Sequence, residues 1–214
     1  METNKKIYLD KLFPKFNNVI LDNIKIDDES VSYITTPNES KKISEIIVNH
    51  IGKFKKGKDC TIIDTTAGVG GDTITFSFYF NSVVSIEINS QRFEMLKNNI
   101  NEYKIKNALL VNGDSIVILP KISYLDIIYV DPPWGGKDYK TKDNLKLKLG
   151  DVPIESFIID CFDINKMLAV PKIIALKLPK NYDLKHLYDE LTKKYDIYLY
   201  QLRKINILII EKKI

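Results

Sequence analysis

The sequence predicts an α/β protein built on a mostly parallel, doubly wound sheet. From residue 60 onward, short apolar runs alternate with amphipathic helical patterns, the arrangement that produces parallel strands joined by crossover helices. The runs are apolar along most of their length, as expected of strands buried on both faces. The last two runs, residues 196–202 and 205–213, follow each other directly and predict an antiparallel terminal pair.

The first 35 residues have a mixed character and predict an N-terminal extension to a domain that spans residues 36–214. Within this extension, residues 23–35 alternate in part between apolar and polar side chains. Such alternation is typical of a short strand.

Residues 36–52 carry strong helix signals. Thr36 can cap the helix, Pro37 suits the first turn, Glu39 completes a capping box and Gly52 ends the pattern. The remaining elements follow in order. We expect strands at residues 60–66, 82–88, 108–114, 124–131 and 172–179, and helices at residues 71–80, 89–103, 154–168 and 184–195.

Composition indicates one globular domain and excludes several classes of protein. The net charge of +4, from 32 basic and 28 acidic residues in 214, permits a polyanionic partner without requiring one. Cys60 and Cys161 lie in apolar contexts and predict buried free thiols. His50 and His186 lack the ligand spacing of zinc sites, so no metal is expected.

No membrane segment or targeting sequence is apparent. The N-terminus lacks an apolar signal-peptide core, and no run approaches the length of about 18 apolar residues that spans a bilayer. We expect a soluble, intracellular monomer in the cytoplasm or nucleus. The Lys-, Asn- and Ile-rich composition is typical of an AT-rich genome and favours a virus, acting in the host cytoplasm, or a protist.

A glycine turn follows the first strand in "IIDTTAGVGGDT". Asp64 ends the strand, and Gly68, Gly70 and Gly71 precede a helix, where backbone N–H groups can approach a ligand closely. The spacing is not GxGxxG and has no GK[ST] ending, so dinucleotide and P-loop sites are weaker interpretations.

Two further acids end the next strands. Glu87 ends the second strand about 20 residues on, where a carboxylate can accept hydrogen bonds from ribose hydroxyls, and Asp114 follows the third and can receive an adenine amine. With Asp64, they lie at one edge of the sheet and favour a nucleoside ligand.

This pattern resembles the class I S-adenosylmethionine-dependent methyltransferases. The resemblance implies a Rossmann-like, seven-stranded sheet that ends in an antiparallel pair, with S-adenosylmethionine as cofactor and S-adenosylhomocysteine as product. It also assigns Glu87 to the ribose and Asp114 to the adenine. The methionine end would contact Asp64, Thr66, Gly68, Gly70, Gly71 and Asp72.

The stretch "DPPW" ends the fourth strand. Pro132 and Pro133 stiffen the turn and leave carbonyls free to accept hydrogen bonds from a planar amine. Asp131 can act as an orienting acceptor, and also as a proton acceptor, for an exocyclic amine that receives a methyl group. Trp134 can stack on the base, and because indole is the best aromatic partner of a cation, it favours a charged base such as 7-methylguanine.

The wider string "DPPWGGKDY" is similar to the SPPWGGPDY motif of the trimethylguanosine synthase family, which methylates N2 of the 7-methylguanosine RNA cap. The resemblance covers about residues 33–185 and includes "ITTPNESKKIS", "AGVGGDT" and "LKLPKN". It implies that Trp134 stacks on the methylated guanine, and that Tyr139, Lys180 and Asn181 lie near the cap phosphates. Capped RNA would be the partner and 2,7-dimethyl- or 2,2,7-trimethylguanosine the product.

Two departures keep alternatives open. Asp131 replaces the family's serine, which favours a ribosomal or transfer RNA guanine-N2 or adenine-N6 methyltransferase, and the extension is short. A non-enzymatic alternative is a cap-binding protein that has lost catalysis. The lysines in "GGKDYKTKDNLKLK" and near the N-terminus form either a solvated surface or a funnel for phosphates.

Overall fold

The computed structural model describes residues 9–16, 19 and 21–213, and the chain divides into two compact units between Ser115 and Ile116. The predicted domain boundary after residue 35 is a different division and stays a prediction. No described helix has the length and apolar character needed to cross a membrane.

The first unit contains three parallel strands and the helices that pack with them. Register pairs Asp64 with Ser85 and Glu87 with Asn112, so the carboxyl ends of the three strands lie at one edge. The strands are β1 (Thr61–Asp64), β2 (Ser82–Glu87) and β3 (Ala108–Asn112). The helices are α1 (Asp28–Tyr33), α2 (Pro37–Ile51), α3 (Gly71–Tyr79) and α4 (Ser90–Glu102).

The second unit contains four strands of the main sheet and a short hairpin. Its strands are β4 (Ile127–Val130), β5 (Lys148–Leu149), β6 (Val152–Pro153), β7 (Ile173–Pro179), β8 (Tyr195–Gln201) and β9 (Ile205–Lys212). Its longer helices are α5 (Ile154–Cys161) and α6 (Leu184–Leu191). β4 and β7 are parallel, whereas β9 runs antiparallel to both β7 and β8.

The main sheet has seven strands in the order β3-β2-β1-β4-β7-β9-β8. The parallel pairs β1–β2, β2–β3 and β4–β7 and the antiparallel pair β8–β9 have the predicted directions. Crossover helices join the parallel strands, and a short turn joins β8 to β9. The prediction of a Rossmann-like, mostly parallel sheet with an antiparallel terminal pair is therefore confirmed.

The capping signals at residues 36–52 are confirmed in α2. Thr36 accepts a hydrogen bond from the N–H of Glu39, its hydroxyl donates to the Glu39 carboxylate at 2.9 Å, and Gly52 follows the last helical residue. Both cysteines are buried free thiols, as predicted.

The prediction of a strand within residues 23–35 is wrong, because this segment contains the helix α1 (Asp28–Tyr33). Asp27 caps the helix by accepting from the N–H of Ser30 at 2.6 Å. A cap and acidic residues in the first turn stabilise a helix, and here they outweigh the weak alternation that suggested a strand.

The helix predicted over residues 154–168 ends early, at Cys161. The Asp163 carboxylate accepts from the N–H of Asn165 at 2.9 Å. Such local side-chain bonding competes with helical hydrogen bonds, and the chain turns instead of continuing the helix.

The described part of the N-terminal extension packs into the first unit. Leu9, Phe13 and Ile24 are buried in one apolar cluster with Ile74 and Leu96. The Tyr103 hydroxyl donates to the Pro14 carbonyl at 2.5 Å. These residues therefore belong to the core that supports the glycine turn. Residues 1–8, which carry two of the predicted N-terminal lysines, lie outside the described residues.

Candidate active site

Two groups of predicted site residues lie in different units, and each is described within its own unit. The first group, the nucleoside rim, consists of Asp64, Gly68, Glu87 and Asp114 at the carboxyl ends of β1, β2 and β3. The second, the acceptor turn, consists of Asp131, Pro132, Pro133 and Trp134 directly after β4. Sequence reasoning predicted both groups.

Glu87 joins the glycine turn to the second strand. One carboxylate oxygen accepts from the N–H of Gly68 at 2.7 Å, and the other accepts from the N–H of Asn89 at 2.8 Å. Each carboxylate oxygen can accept more than one hydrogen bond. Glu87 can therefore hold the turn in place and still accept from the hydroxyls of a ribose.

Asp64 is buried and bonded to its own unit. Its carboxylate accepts from the Thr73 hydroxyl at 2.7 Å and from the N–H of Thr66 at 3.3 Å. The Thr73 hydroxyl also lies 2.9 Å from the Ser85 hydroxyl on β2. Asp64 therefore ties β1 to the helix after the glycine turn, which is a structural role beside its predicted contact with a cofactor.

The three glycines of the turn have different surroundings. A Cβ added at Gly68 would meet nothing within 4 Å, whereas one at Gly70 would lie 2.9 Å from Leu96 and one at Gly71 would lie 2.7 Å from Ile34. Gly70 is favoured by its φ of +101°, which residues with a Cβ rarely adopt, and Gly71 by close packing against Ile34. Gly68 borders open space, so its position fits close approach of a ligand.

Asp72 and Asp114 complete the predicted cofactor set. Asp72 is buried in the first turn of α3 and accepts from the Thr35 hydroxyl at 2.6 Å. Asp114 is half-buried just beyond β3, where the Ser115 hydroxyl donates to the Thr65 carbonyl. Their contacts with a cofactor, like that of Thr66, stay predictions.

Asn99 supports the glycine turn from α4, and sequence reasoning missed it. The residue is fully buried, and its amide donates to the Val69 carbonyl at 2.9 Å and to the Lys25 carbonyl at 2.8 Å. A polar residue inside an amphipathic helix carries little signal by itself, because its partners are distant in sequence.

In the second unit, the acceptor turn contains a buried ion pair. Asp131 accepts from the Lys177 ammonium at 2.6 Å, and the Lys177 side chain is only 5% exposed. Lys177 lies within β7, where every residue is buried. Sequence reasoning also missed this residue, although a single lysine in an apolar strand is a usable signal, since buried lysines need a partner.

Trp134 is half-buried beside two side chains of its unit. Its ring lies 5.1 Å from that of Tyr139 in an edge-to-face arrangement, and the Lys177 ammonium lies 5.4 Å from the ring centroid. The indole N–H is buried and has no hydrogen-bond partner among the described residues. A buried donor in this state is destabilising by about 1–3 kcal/mol, and such atoms often mark functional sites.

The two glycines after Trp134 shape the chain. Gly135 and Gly136 have φ values of +92° and +73°, which residues with a Cβ rarely adopt. The chain can therefore reverse directly after the indole and continue into residues 136–145, here called the acceptor loop. This loop contains the short 3-10 turn Gly136–Thr141.

Asn181 holds the acceptor loop against the segment after β7. Its amide donates to the carbonyls of Tyr139 and Lys142 at 2.7 and 2.6 Å. Leu145 exchanges backbone hydrogen bonds with Asn181 and Asp183. Asn181 therefore orders the loop that contains Tyr139, and its proximity to the cap phosphates stays a prediction.

Tyr182 anchors the same segment. Its hydroxyl donates to the buried Glu155 carboxylate of α5. Burial and, second, this carboxylate raise the pKa of Tyr182 well above its usual range, so the phenol stays a neutral donor. Neighbouring Lys180 is exposed and donates to the Asn206 side chain at 3.0 Å.

No group of three or more His, Cys, Asp or Glu side chains able to hold a metal ion occurs in the described ranges. The polar groups of the nucleoside rim are carboxylates, which accept hydrogen bonds, and backbone N–H groups, which donate them; they lie around a glycine turn, and Gly68 borders open space. These residues fit a nucleoside cofactor such as S-adenosylmethionine.

Comparisons with known proteins agree with this geometry. The family model for RNA cap guanine-N2 methyltransferases matches residues 60–213. A protein of Acanthamoeba polyphaga mimivirus, "uncharacterized protein L320", is 34% identical over 94% of this chain and 84% of its own length. The trimethylguanosine synthase of Schizosaccharomyces pombe is 27% identical over 82% of this chain and 70% of its own.

A solved structure shows the same fold at low identity. The Thermus thermophilus 16S rRNA N2 G1207 methyltransferase, in complex with AdoMet and guanosine, is similar with a TM-score of 0.59 and 16% identity. The match covers 88% of this chain and 44% of that one. It indicates the fold alone.

Proposed function

The chain belongs to the RNA cap guanine-N2 methyltransferase family, and on that premise we propose that it transfers a methyl group from S-adenosylmethionine to N2 of the 7-methylguanosine cap of RNA. The products would be 2,7-dimethylguanosine and 2,2,7-trimethylguanosine caps. The observation that carries this proposal is the half-buried Trp134, with an unsatisfied indole N–H, directly after an acidic diproline turn.

The chain is an S-adenosylmethionine-dependent methyltransferase, and the nucleoside rim supplies the residues that would hold the cofactor. When bound, S-adenosylmethionine supplies an electrophilic methyl group. We assign Glu87 to the ribose hydroxyls and Asp114 to the adenine amine. The open side of Gly68 lets the backbone approach the methionine portion, next to Asp64 and Thr66.

The acceptor turn would orient the target amine. Asp131 and the carbonyls of Pro132 and Pro133 are acceptors for its two N–H groups. When both hydrogens are held in this way, the nitrogen lone pair points toward the incoming methyl group, and the Asp131 carboxylate would accept the proton that leaves the nitrogen after transfer. Trp134 would stack on the guanine, and base–aromatic stacking is worth about 1–3 kcal/mol.

Labelled methyl transfer to 7-methyl-GTP and to GTP, followed by nucleoside analysis, tests the substrate. We expect label in N2-methylated 7-methylguanosine and little transfer to GTP. Transfer to unmodified ribosomal or transfer RNA with none to 7-methyl-GTP would contradict the proposal and favour the alternative that Asp131 suggests. Binding of 7-methyl-GTP with neither cofactor binding nor methyl transfer would instead indicate a cap-binding protein.

Trp134→Ala should lower kcat/KM for 7-methyl-GTP by about ten- to hundredfold, because it removes the stacking surface. The dissociation constant of S-adenosylhomocysteine, measured by calorimetry, should stay within a few-fold. Trp134→Phe is the matched control, since it keeps an aromatic face and should retain part of the activity. Full turnover by the alanine variant would remove the stacking role.

A further inference from the structure

Lys177 places a positive charge beside the acceptor turn, and the proposed reaction assigns no role to this charge. The residue is 4% exposed within a strand that is otherwise apolar, and its ammonium donates to the Asp131 carboxylate at 2.6 Å. A buried ammonium is destabilising unless a carboxylate compensates it. Asp131 and Lys177 therefore form an ion pair in which the two opposite charges offset each other.

The same ammonium lies over the indole that would bind the base. Its distance of 5.4 Å from the Trp134 ring centroid is within the range of a cation–π interaction. A cationic purine stacked on this ring would be attracted by the π system and by Asp131, and repelled by Lys177. The balance of these charges decides how strongly the site distinguishes a charged base from a neutral one.

We propose that Lys177 is a specificity-determining residue: together with Asp131, it sets the preference of Trp134 for a positively charged guanine over neutral guanine. This inference rests on the proposed function and adds a substrate-selecting role within it. It also explains why aspartate can stand where the family has serine, because the Asp131 carboxylate supplies a negative charge to the buried Lys177 ammonium and a serine hydroxyl carries none.

The proposal predicts effects of opposite sign. Lys177→Met removes the repelling charge and keeps the attracting charge of Asp131, so the preference for the cationic base should rise. Asp131→Asn leaves the ammonium beside the ring without its carboxylate, so the preference should fall. In the double variant both charges are gone, and the preference should return close to that of the wild type.

Trp134 makes the measurement direct, because it is the only tryptophan in the chain. Quenching of its fluorescence would be titrated with 7-methyl-GTP and with GTP, in the presence of saturating S-adenosylhomocysteine so that no turnover occurs. The measured quantity is the ratio of the two dissociation constants. We expect each single variant to shift this ratio about three- to tenfold, the size of one cation–π contact, and the double variant to shift it less than about twofold.

Lys185 and Asp189 provide a matched control, since they form an exposed ion pair at 2.7 Å in the same unit. Lys185→Met and Asp189→Asn should leave the ratio unchanged. Lys177→Arg retains the charge and should keep the ratio within about twofold of wild type. Circular dichroism and the melting temperature would establish that each variant is folded.

If Asp131→Asn does not fold, comparison of Lys177→Met with the double variant makes the same test, and the double variant should show the lower preference. Shifts of equal sign in the two single variants, or unchanged ratios throughout, would overturn this inference while the proposed function stands. Absence of quenching of the wild type by either nucleotide would overturn the proposed function, and this inference with it.

Discussion

Glu87 holds the glycine turn in place and is also the residue that we propose to bind the ribose of the cofactor. Its two oxygens accept from the backbone of the glycine turn and from Asn89, so the same carboxylate that would receive ribose hydroxyls also positions the turn. Removal of the Glu87 charge should therefore lower both the affinity for the cofactor and the free energy of unfolding.

Glu87→Gln keeps the side-chain shape but replaces one acceptor oxygen with a donor that faces a backbone N–H. Charge-assisted hydrogen bonds contribute about 1.5–3 kcal/mol, so the dissociation constant of S-adenosylhomocysteine should rise about ten- to hundredfold by calorimetry. Glu94→Gln, on the exposed face of α4, is the control and should bind normally. Affinity within twofold of wild type would exclude the ribose role.

At the scale of elements, the acceptor loop depends on a contact from the segment after β7. Asn181→Ala removes two hydrogen bonds to this loop and should lower the free energy of unfolding by about 1–2 kcal/mol. Amide hydrogen exchange in residues 139–145 should become faster. Asn165→Ala removes an exposed amide from the same unit and serves as control, and unchanged exchange in the loop would show that Asn181 does not order it.

Helix α1 depends on Asp27, which accepts from Ser30 and also pairs with Arg92 at 3.0 Å. Partial burial raises the pKa of Asp27, but the Ser30 N–H and Arg92 outweigh it and leave the pKa below its ordinary value. A carboxyl group with a lowered pKa adds stability above its unfolded pKa and loses it as the pH falls through the folded value.

Asp27→Asn keeps a capping side chain but loses the ion pair, so it should reduce the free energy of unfolding by about 0.5–1 kcal/mol at neutral pH. Asp27→Ala should cost about 1 kcal/mol more, because the cap is lost as well. In urea titrations, the difference between wild type and Asp27→Asn should shrink as the pH falls below about 4, and it should close only once the pH has passed the lower, folded-state pKa of Asp27. A difference that persists in acid would show that the charge of Asp27 is not its source.

At the scale of the whole molecule, the net charge is only +4, but lysines are concentrated in and beside the acceptor loop. Lys140, Lys142, Lys146, Lys148 and Lys180 are exposed in and beside the acceptor loop. Leu145, Leu147 and Leu149 alternate with some of them and are buried, so one extended segment contributes to both the core and the charged surface.

Binding of a capped RNA should therefore weaken as salt increases. Contacts with two or three phosphates predict a slope of about −1.5 to −2 in a plot of log affinity against log salt concentration. The nucleoside 7-methylguanosine, which has no phosphates, should show almost no slope. Lys146→Gln with Lys148→Gln should reduce the slope for RNA, and an unaffected slope would assign the phosphate contacts to other residues.

Local patterns in the sequence were sufficient for most elements of the fold and for placing the acids of the nucleoside rim at strand ends. Apolar runs, the Thr36 cap and the glycine turn depend on neighbours in the chain, because strand burial, capping and turn geometry are properties of short segments. The same is true of the acids that end successive strands. Parallel topology then brings Asp64 and Glu87 to one edge.

Only the tertiary structure decided which distant side chains meet. Asp131 and Lys177, Asn99 and Val69, and Asn181 and the acceptor loop are joined by contacts between residues far apart in sequence. No periodicity encodes such pairs, since a hydrogen bond or ion pair depends on positions in space. The acceptor turn consists of four consecutive residues and could be singled out from the sequence, but the ammonium that pairs with Asp131 comes from a strand more than 40 residues away.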